Sequence, residues 1–188
     1  MRIVAGEFRG RTLLTPSGEE IRPTADRVRQ TIFDILAHGY GDVVRGARVL
    51  DLFAGTGAFG IEAISRGAAS VLFVDDGAEA RGLIRGNVEA FGLTGRTRIF
   101  RRDATRLGEV GTVAPFNLVF ADPPYGRGLG EKTLTEAAAG GWLVPGATVV
   151  LEEAREAKIA AIPGLDLVES RTIGDTAVHF LAAGPVRP

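Results

Sequence analysis

The residues best suited to chemistry stand together in Asp122-Pro123-Pro124-Tyr125, directly after the run Asn117-Leu118-Val119-Phe120-Ala121. That run is apolar and β-prone, so it predicts a buried strand that stops at Asp122. Pro123 restricts Asp122 to an extended conformation, and each proline sets its own φ near about −65°. The chain therefore leaves the strand as a stiff hook holding three groups in a set relation: the Asp122 carboxylate, the Pro123 carbonyl and the Tyr125 ring. Neither proline has an amide hydrogen to compete for the acceptors. Two acceptors beside an aromatic face suit a planar group bearing NH₂, whose N–H bonds they take while the ring stacks on its plane. Taken alone, the four residues equally describe a proline-stiffened turn with a surface Asp and a packed Tyr.

A second cluster spans Val49 to Gly60: an apolar strand, a glycine turn and a helix start. Gly55, Gly57 and Gly60 satisfy G-x-G-x-x-G, in which glycine permits a sharp turn and lets a ligand approach the free N–H groups of a helix N-terminus. Asp75 ends the next apolar run, where a carboxylate accepts hydrogen bonds from ribose hydroxyls. These features on their own also admit a nicotinamide dinucleotide. Asp51 speaks against it, because a carboxylate just before the glycines repels a pyrophosphate and suits an ammonium group, directly or through water. A ligand with a ribose, an adenine, a cationic centre and an α-amino group is S-adenosylmethionine. Its expected site comprises Asp51, Phe53, Ala54, Gly55, Thr56 and Gly57, with Asp75 for the ribose and Asp103 beside Ala104 for the adenine amine. Asp122 borders it. Asp103 fits a turn-capping role as well.

Strands over 47–53, 69–75, 97–102, 116–121 and 147–152 alternate with helices over 58–66, 78–91 and about 130–143. That spacing predicts an α/β fold with a parallel sheet covered on both faces. Two more strands, 165–172 and 176–183, are joined tightly through Gly174-Asp175, so one of them should run antiparallel to the rest. Ahead of the sheet, the glycine-bearing residues 1–21 predict a small β-hairpin or arm. Val28, Ile32, Ile35 and Leu36 then fall at helical spacing, with Thr24 or Asp26 as cap. The expected division is an extension over 1–40 and the main domain over 41–188.

With 188 residues the chain is long enough for a full core, and its formal net charge of −1 exerts no global pull on nucleic acid. Positive charge is placed forward: residues 1–29 hold six arginines against four acids, a net of +2. That fits an RNA-facing patch, and equally a solvated arm. There is no cysteine, and two histidines, His38 and His179, are too few and too scattered for a zinc site. We expect no metal. No apolar run approaches about 18 residues and no apolar leader opens the chain, so a cytoplasmic protein without a membrane segment is expected. His38 and His179 read as surface or packing residues, Trp142 as core, and Glu62 as a support of the glycine loop.

Several motifs are shared with a known family. They include Arg2-Ile3-Val4-Ala5-Gly6, Arg9-Gly10-Arg11, Arg22-Pro23-Thr24-Ala25-Asp26-Arg27-Val28-Arg29 and Leu50-Asp51-Leu52-Phe53-Ala54-Gly55. Ser65-Arg66-Gly67-Ala68 and the hook at 122–125 continue the match. Over nearly its whole length the chain resembles the RsmD-type 16S rRNA (guanine-N2)-methyltransferases. D-P-P-Y marks amino-group methyltransferases in general, and the R-P-T-x-D-R-V-R stretch with S-R-G-A is more specific. The resemblance implies a class I S-adenosylmethionine-dependent methyltransferase, with a Rossmann-like, mostly parallel seven-stranded sheet and one antiparallel strand. It implies a guanine of 16S rRNA as acceptor, within an assembled or partly assembled small subunit. The chemistry then falls to Asp122, Pro123, Pro124 and Tyr125, and RNA contact to Arg9, Arg11, Arg22 and Arg27. The chain departs from the family at Asp75, often Glu, and at Glu7 and Thr12, commonly Lys. Adenine N6 is the nearest alternative acceptor, since the hook contacts an NH₂ and not a whole base. A nicotinamide-dependent oxidoreductase and a non-catalytic RNA-binding or assembly factor are further alternatives.

Overall fold

The structure is a computed structural model describing residues 1–17 and 23–184, with Pro23 and Thr24 as backbone only. Its seven strands are β1 (Arg48–Leu52), β2 (Ser70–Val74), β3 (Thr97–Phe100), β4 (Phe116–Ala121), β5 (Leu143–Ala154), β6 (Leu165–Ile173) and β7 (Thr176–Ala183). They form one sheet in the order β3-β2-β1-β4-β5-β7-β6. β1 pairs in parallel with both β2 and β4, and β7 runs antiparallel to β5 and β6. This is the mostly parallel seven-stranded sheet that the resemblance implies, with the antiparallel strand in the hairpin where the tight turn at Gly174 predicts it. β1, β2 and β4 are apolar along nearly their whole length because helices cover both faces.

Among the described residues four helices cover the sheet: α1 (Pro23–Gly39), α2 (Ala58–Ser65), α3 (Ala78–Ala90) and α4 (Leu129–Ala139). One face carries α1, α2, α3 and the N-terminal segment, with Ile3, Phe8, Leu13, Phe33, Ile61 and Phe120 in a common core. The segment expected as an extension thus shares the main core. α4 covers the other face with Leu134 and Trp142.

Three boundaries differ from expectation. α4 stops at Ala139, before the predicted 143, because Gly140 and Gly141 (φ +75°) break it and let Trp142 drop into the core. Trp142 donates Nε1–H to the Gly108 carbonyl at 2.7 Å. β5 begins at Leu143 and runs to Ala154, longer than 147–152, through an irregularity opposite Phe116–Leu118. The N-terminal segment is no true hairpin: one antiparallel bridge, Arg2 to Thr12, closes it. Its amides are spent elsewhere, on helix side chains. Val4 and Ala5 N–H donate to Glu62 at 2.8 and 3.0 Å, and Phe8 N–H to Ser65 Oγ at 2.9 Å. Gly6 (φ +81°) lies so close to the Ser65 carbonyl that a Cβ there would overlap it.

Candidate active site

At the carboxyl ends of the central strands lies an open cleft of about 410 Å³. Its walls come from the glycine turn after β1, the ends of β4 and β5, the β6–β7 turn, and the start of α1 with Met1. Of the expected site residues it unites Asp51, Phe53, Ala54, Gly55, Thr56, Asp122 and Tyr125. Pro123, Pro124, Gly57, Asp75, Asp103 and Ala104 stand outside its lining.

The glycine turn is built from left-handed residues: Phe53 (φ +57°), Gly55 (+57°) and Gly57 (+78°), the last preceding α2. Phe53 pays a strain cost of order 1–3 kcal/mol there, which marks the turn as functionally constrained. α2 lies close on β2, because a Cβ at Gly60 would collide with Phe73 and with Val71 Cγ1, 2.7 Å away. Asp51 is buried and its Oδ2 accepts the Gly60 amide at 2.9 Å. Burial pushes its carboxyl well above the ordinary range; the Gly60 amide opposes this, and the charges of Asp122 and Asp75 add to it.

Asp75 sits behind the turn and ties it together, accepting the amides of Gly55 at 3.0 Å and Gly77 at 2.8 Å. Asp103 caps the short 3₁₀ turn 104–106 through the Thr105 hydroxyl and amide, which hold its carboxyl below the usual value. Its capping role is thereby present in the structure. Glu62 does not support the glycine loop: fully buried, it holds the N-terminal segment and pairs with Arg66 (2.8 Å) and Arg29 (3.5 Å). The reason is its place on the far side of α2, facing that segment's amides.

The hook leaves β4 with the Asp122 amide 3.4 Å from the Leu52 carbonyl. It is fastened beyond Tyr125, where the Gly126 amide (φ +73°) donates to Glu153 Oε2 at 3.1 Å. Asp122 opens to solvent at the cleft wall, and the concave protein around it, with the Glu153 charge, pushes its carboxyl up to about 6. The Tyr125 ring is 41% exposed, its hydroxyl 3.5 Å from Thr176 Oγ1. Burial pushes that hydroxyl up to about 12; the Thr176 contact opposes this, and the Asp122, Glu152 and Glu153 charges reinforce it. The ring is therefore a neutral stacking face. Beneath Asp122, Phe59 and Phe120 stack with centroids 4.9 Å apart, and Phe33 joins Phe120 at 5.3 Å.

Arg9 and Arg27 are exposed. Arg11 lies over the Phe91 ring at 4.0 Å and donates to the Ala90 carbonyl at 2.6 Å. Arg22 lies outside the described residues. Sequence reasoning passed over four neighbours of the site: Arg29, Phe59, Glu152 and Glu153. The acidic pair at the end of the apolar run 147–151 was a readable signal. The other two needed the packing of α1 and α2 on the sheet.

The family model described as "Conserved hypothetical protein 95" matches residues 1–182. "Ribosomal RNA small subunit methyltransferase D" of Escherichia coli (strain K12) is 39% identical over 165 residues, covering 87% of this chain and 79% of that relative. "Putative rRNA methyltransferase YlbH" of Bacillus subtilis (strain 168) is 35% identical over 182 residues, covering 95% and 96%. Among solved structures, "Putative methyltransferase yhhF from Escherichia coli" superposes with a TM-score of 0.82 at 33% identity, covering 98% of each chain.

Proposed function

The chain belongs to the conserved hypothetical protein 95 family, that of the RsmD-type methyltransferases, and on that premise we propose that it methylates the exocyclic N2 amine of a guanine in 16S rRNA. The observation that carries this reading is the Asp122–Tyr125 hook at the mouth of a cleft that also contains the glycine turn. S-Adenosylmethionine is the methyl donor in this reading. The residues fit it: a glycine turn open to a ligand, and acidic lining from Asp51, Asp122 and Glu152 that favours a cationic centre and disfavours a pyrophosphate. Asp75 is the partner of the ribose hydroxyls in this reading, and Asp103, whose Oδ1 serves Thr105 and whose Oδ2 lies 3.9 Å from Arg106 Nε, is the partner of the adenine amine. When bound, the donor supplies an electrophilic methyl group.

The guanine amine is a weak nucleophile because its lone pair is delocalised into the ring. Asp122 and the Pro123 carbonyl accept its two hydrogens and turn its electron density toward the methyl. Tyr125 stacks on the base, worth about 1–3 kcal/mol, against a few kcal/mol for taking the base out of its stack. The amine gains the methyl as the donor's sulfonium S–C bond breaks, leaving a neutral thioether, and Asp122 Oδ or water takes the amine proton. Orientation supplies most of the acceleration, typically about 7–11 kcal/mol. Met1, Ala25 and Arg29 line the cleft, so in this reading the N-terminal segment and α1 form the wall nearest the RNA, with Arg9, Arg11 and Arg27 as cationic contacts and Arg22, outside the described residues, as a fourth candidate.

Radiolabelled methyl transfer to unmodified small subunits and to naked 16S rRNA, followed by nucleoside analysis, tests the reading. N2-methylguanosine is the expected product, with the assembled or partly assembled subunit preferred. N6-methyladenosine, or no transfer, would overturn it.

A further inference from the structure

Asp122 and Glu152 are two of the four acidic residues that line the cleft, with Asp51 and Asp175. Asp51, Asp75, Asp103 and Glu153 each accept a backbone amide. Among the described residues no amide donates to Asp122 or Glu152. The two are neighbours: β4 and β5 run parallel with Ala121 opposite Leu151, so Asp122 and Glu152 follow at adjacent strand ends. Such strands lie about 4.7–4.9 Å apart. Both side chains fall on the face of Phe120 and Val150, and both line the cleft. Glu152 is only 6% exposed. Burial and the Asp122 charge raise its carboxyl, opposed by Arg29 and the Tyr125 hydroxyl. The Tyr125 hydroxyl and the Arg29 charge engage it only in part, since a carboxylate offers about four lone-pair sites, and capacity remains for a ligand N–H.

The hook takes an NH₂ and is indifferent to the base that bears it. Guanine and adenine differ at the next atom, since guanine places N1–H, a donor, beside its amine and adenine places a bare N1, an acceptor. We propose that Glu152 is a specificity-determining residue that accepts the N1–H of the target guanine while Asp122 and the Pro123 carbonyl hold the N2 hydrogens. With Glu152 ionised, the form that Arg29 and the Tyr125 hydroxyl favour, adenine would set its N1 lone pair against the carboxylate. This assignment rests on the guanine-N2 reading and adds the residue that selects the base.

The test uses small subunits reconstituted with 16S rRNA in which the acceptor guanosine, first located by product mapping, is replaced by 2-aminopurine. That base keeps the C2 amine and lacks both N1–H and the O6 carbonyl, so the share due to N1–H is read from the change of the ratio in the Glu152 variants. The wild-type protein is expected to favour guanine over 2-aminopurine by about 10- to 100-fold in kcat/KM, the range of one hydrogen bond to a charged group. In Glu152→Ala this ratio is expected to fall to near one. In Glu152→Gln, whose amide oxygen still accepts, an intermediate ratio is expected. Equal wild-type rates on the two bases, or an unchanged ratio in Glu152→Ala, would overturn the assignment while leaving guanine-N2 methylation standing. Absence of transfer to the guanine subunits would instead remove the parent reading. Equal wild-type rates would overturn the assignment even if Glu152→Ala fails to fold, and Glu152→Gln then supplies the ratio that supports it.

Discussion

The raised carboxyl of Asp122 has a consequence for rate that can be worked out in advance. Its value is pushed up to about 6, by burial first and the Glu153 charge second. If the ionised form receives the amine hydrogen, kcat/KM follows the ionised fraction. At a value of about 6 that fraction is about ten-elevenths at pH 7 and about one-eleventh at pH 5, so transfer should fall about tenfold between them. An aspartate at the ordinary 3.8 would leave the rate nearly unchanged over that interval. Single-turnover transfer at constant ionic strength, with a ¹³C titration of the Asp122 carboxyl alongside, measures both quantities. Stability moves the opposite way. A carboxyl raised by folding favours the neutral form, so its stabilising contribution is full below about 3.8 and is lost as pH rises through about 6. Asp122→Asn should therefore melt above the wild type at pH 7, with the gap closing toward pH 4, while transfer is abolished. Because Asp122 opens to solvent, the gap should be small. A flat rate from pH 5 to 7 with the carboxyl titrating near 4 would refute the reasoning.

Asp75→Ala should weaken S-adenosylhomocysteine binding about 10- to 100-fold by calorimetry, the loss of one charge-assisted partner; unchanged affinity would remove Asp75 from the donor site. Glu62→Gln should cost about 3–5 kcal/mol in urea unfolding, because it leaves Arg29 and Arg66 without their anionic partner and sets an NH₂ against one of the two N-terminal amides. A change under 1 kcal/mol would show that the network is weaker than its geometry. The two arginines of the arm should separate: Arg9→Ala should flatten the salt dependence of RNA binding at constant melting temperature, whereas Arg11→Ala should lower the melting temperature through its lost contacts with Phe91 and Ala90. Equal behaviour of the two in both assays would contradict the structure.

The sequence by itself determined the strands, their parallel character and the antiparallel hairpin, because hydrophobic period and turn residues are local properties that any three-dimensional packing must respect. It also determined the hook and the glycine turn, whose stiffness and freedom reside in their own prolines and glycines. The partners of charged side chains were not legible. Glu62 read as a loop support and proved to hold residues 4 and 5, 58 and 57 positions away along the chain. Arg11, an expected RNA contact, also lies over Phe91, a partner that its own stretch of sequence does not name. The pairing of Asp122 with Glu152 likewise exists only because β4 and β5 lie in register. Charge type is written in each residue, but Coulomb attraction and hydrogen bonding act over a few ångströms. Which groups come within that range is decided by the packing of distant segments, which no local pattern contains.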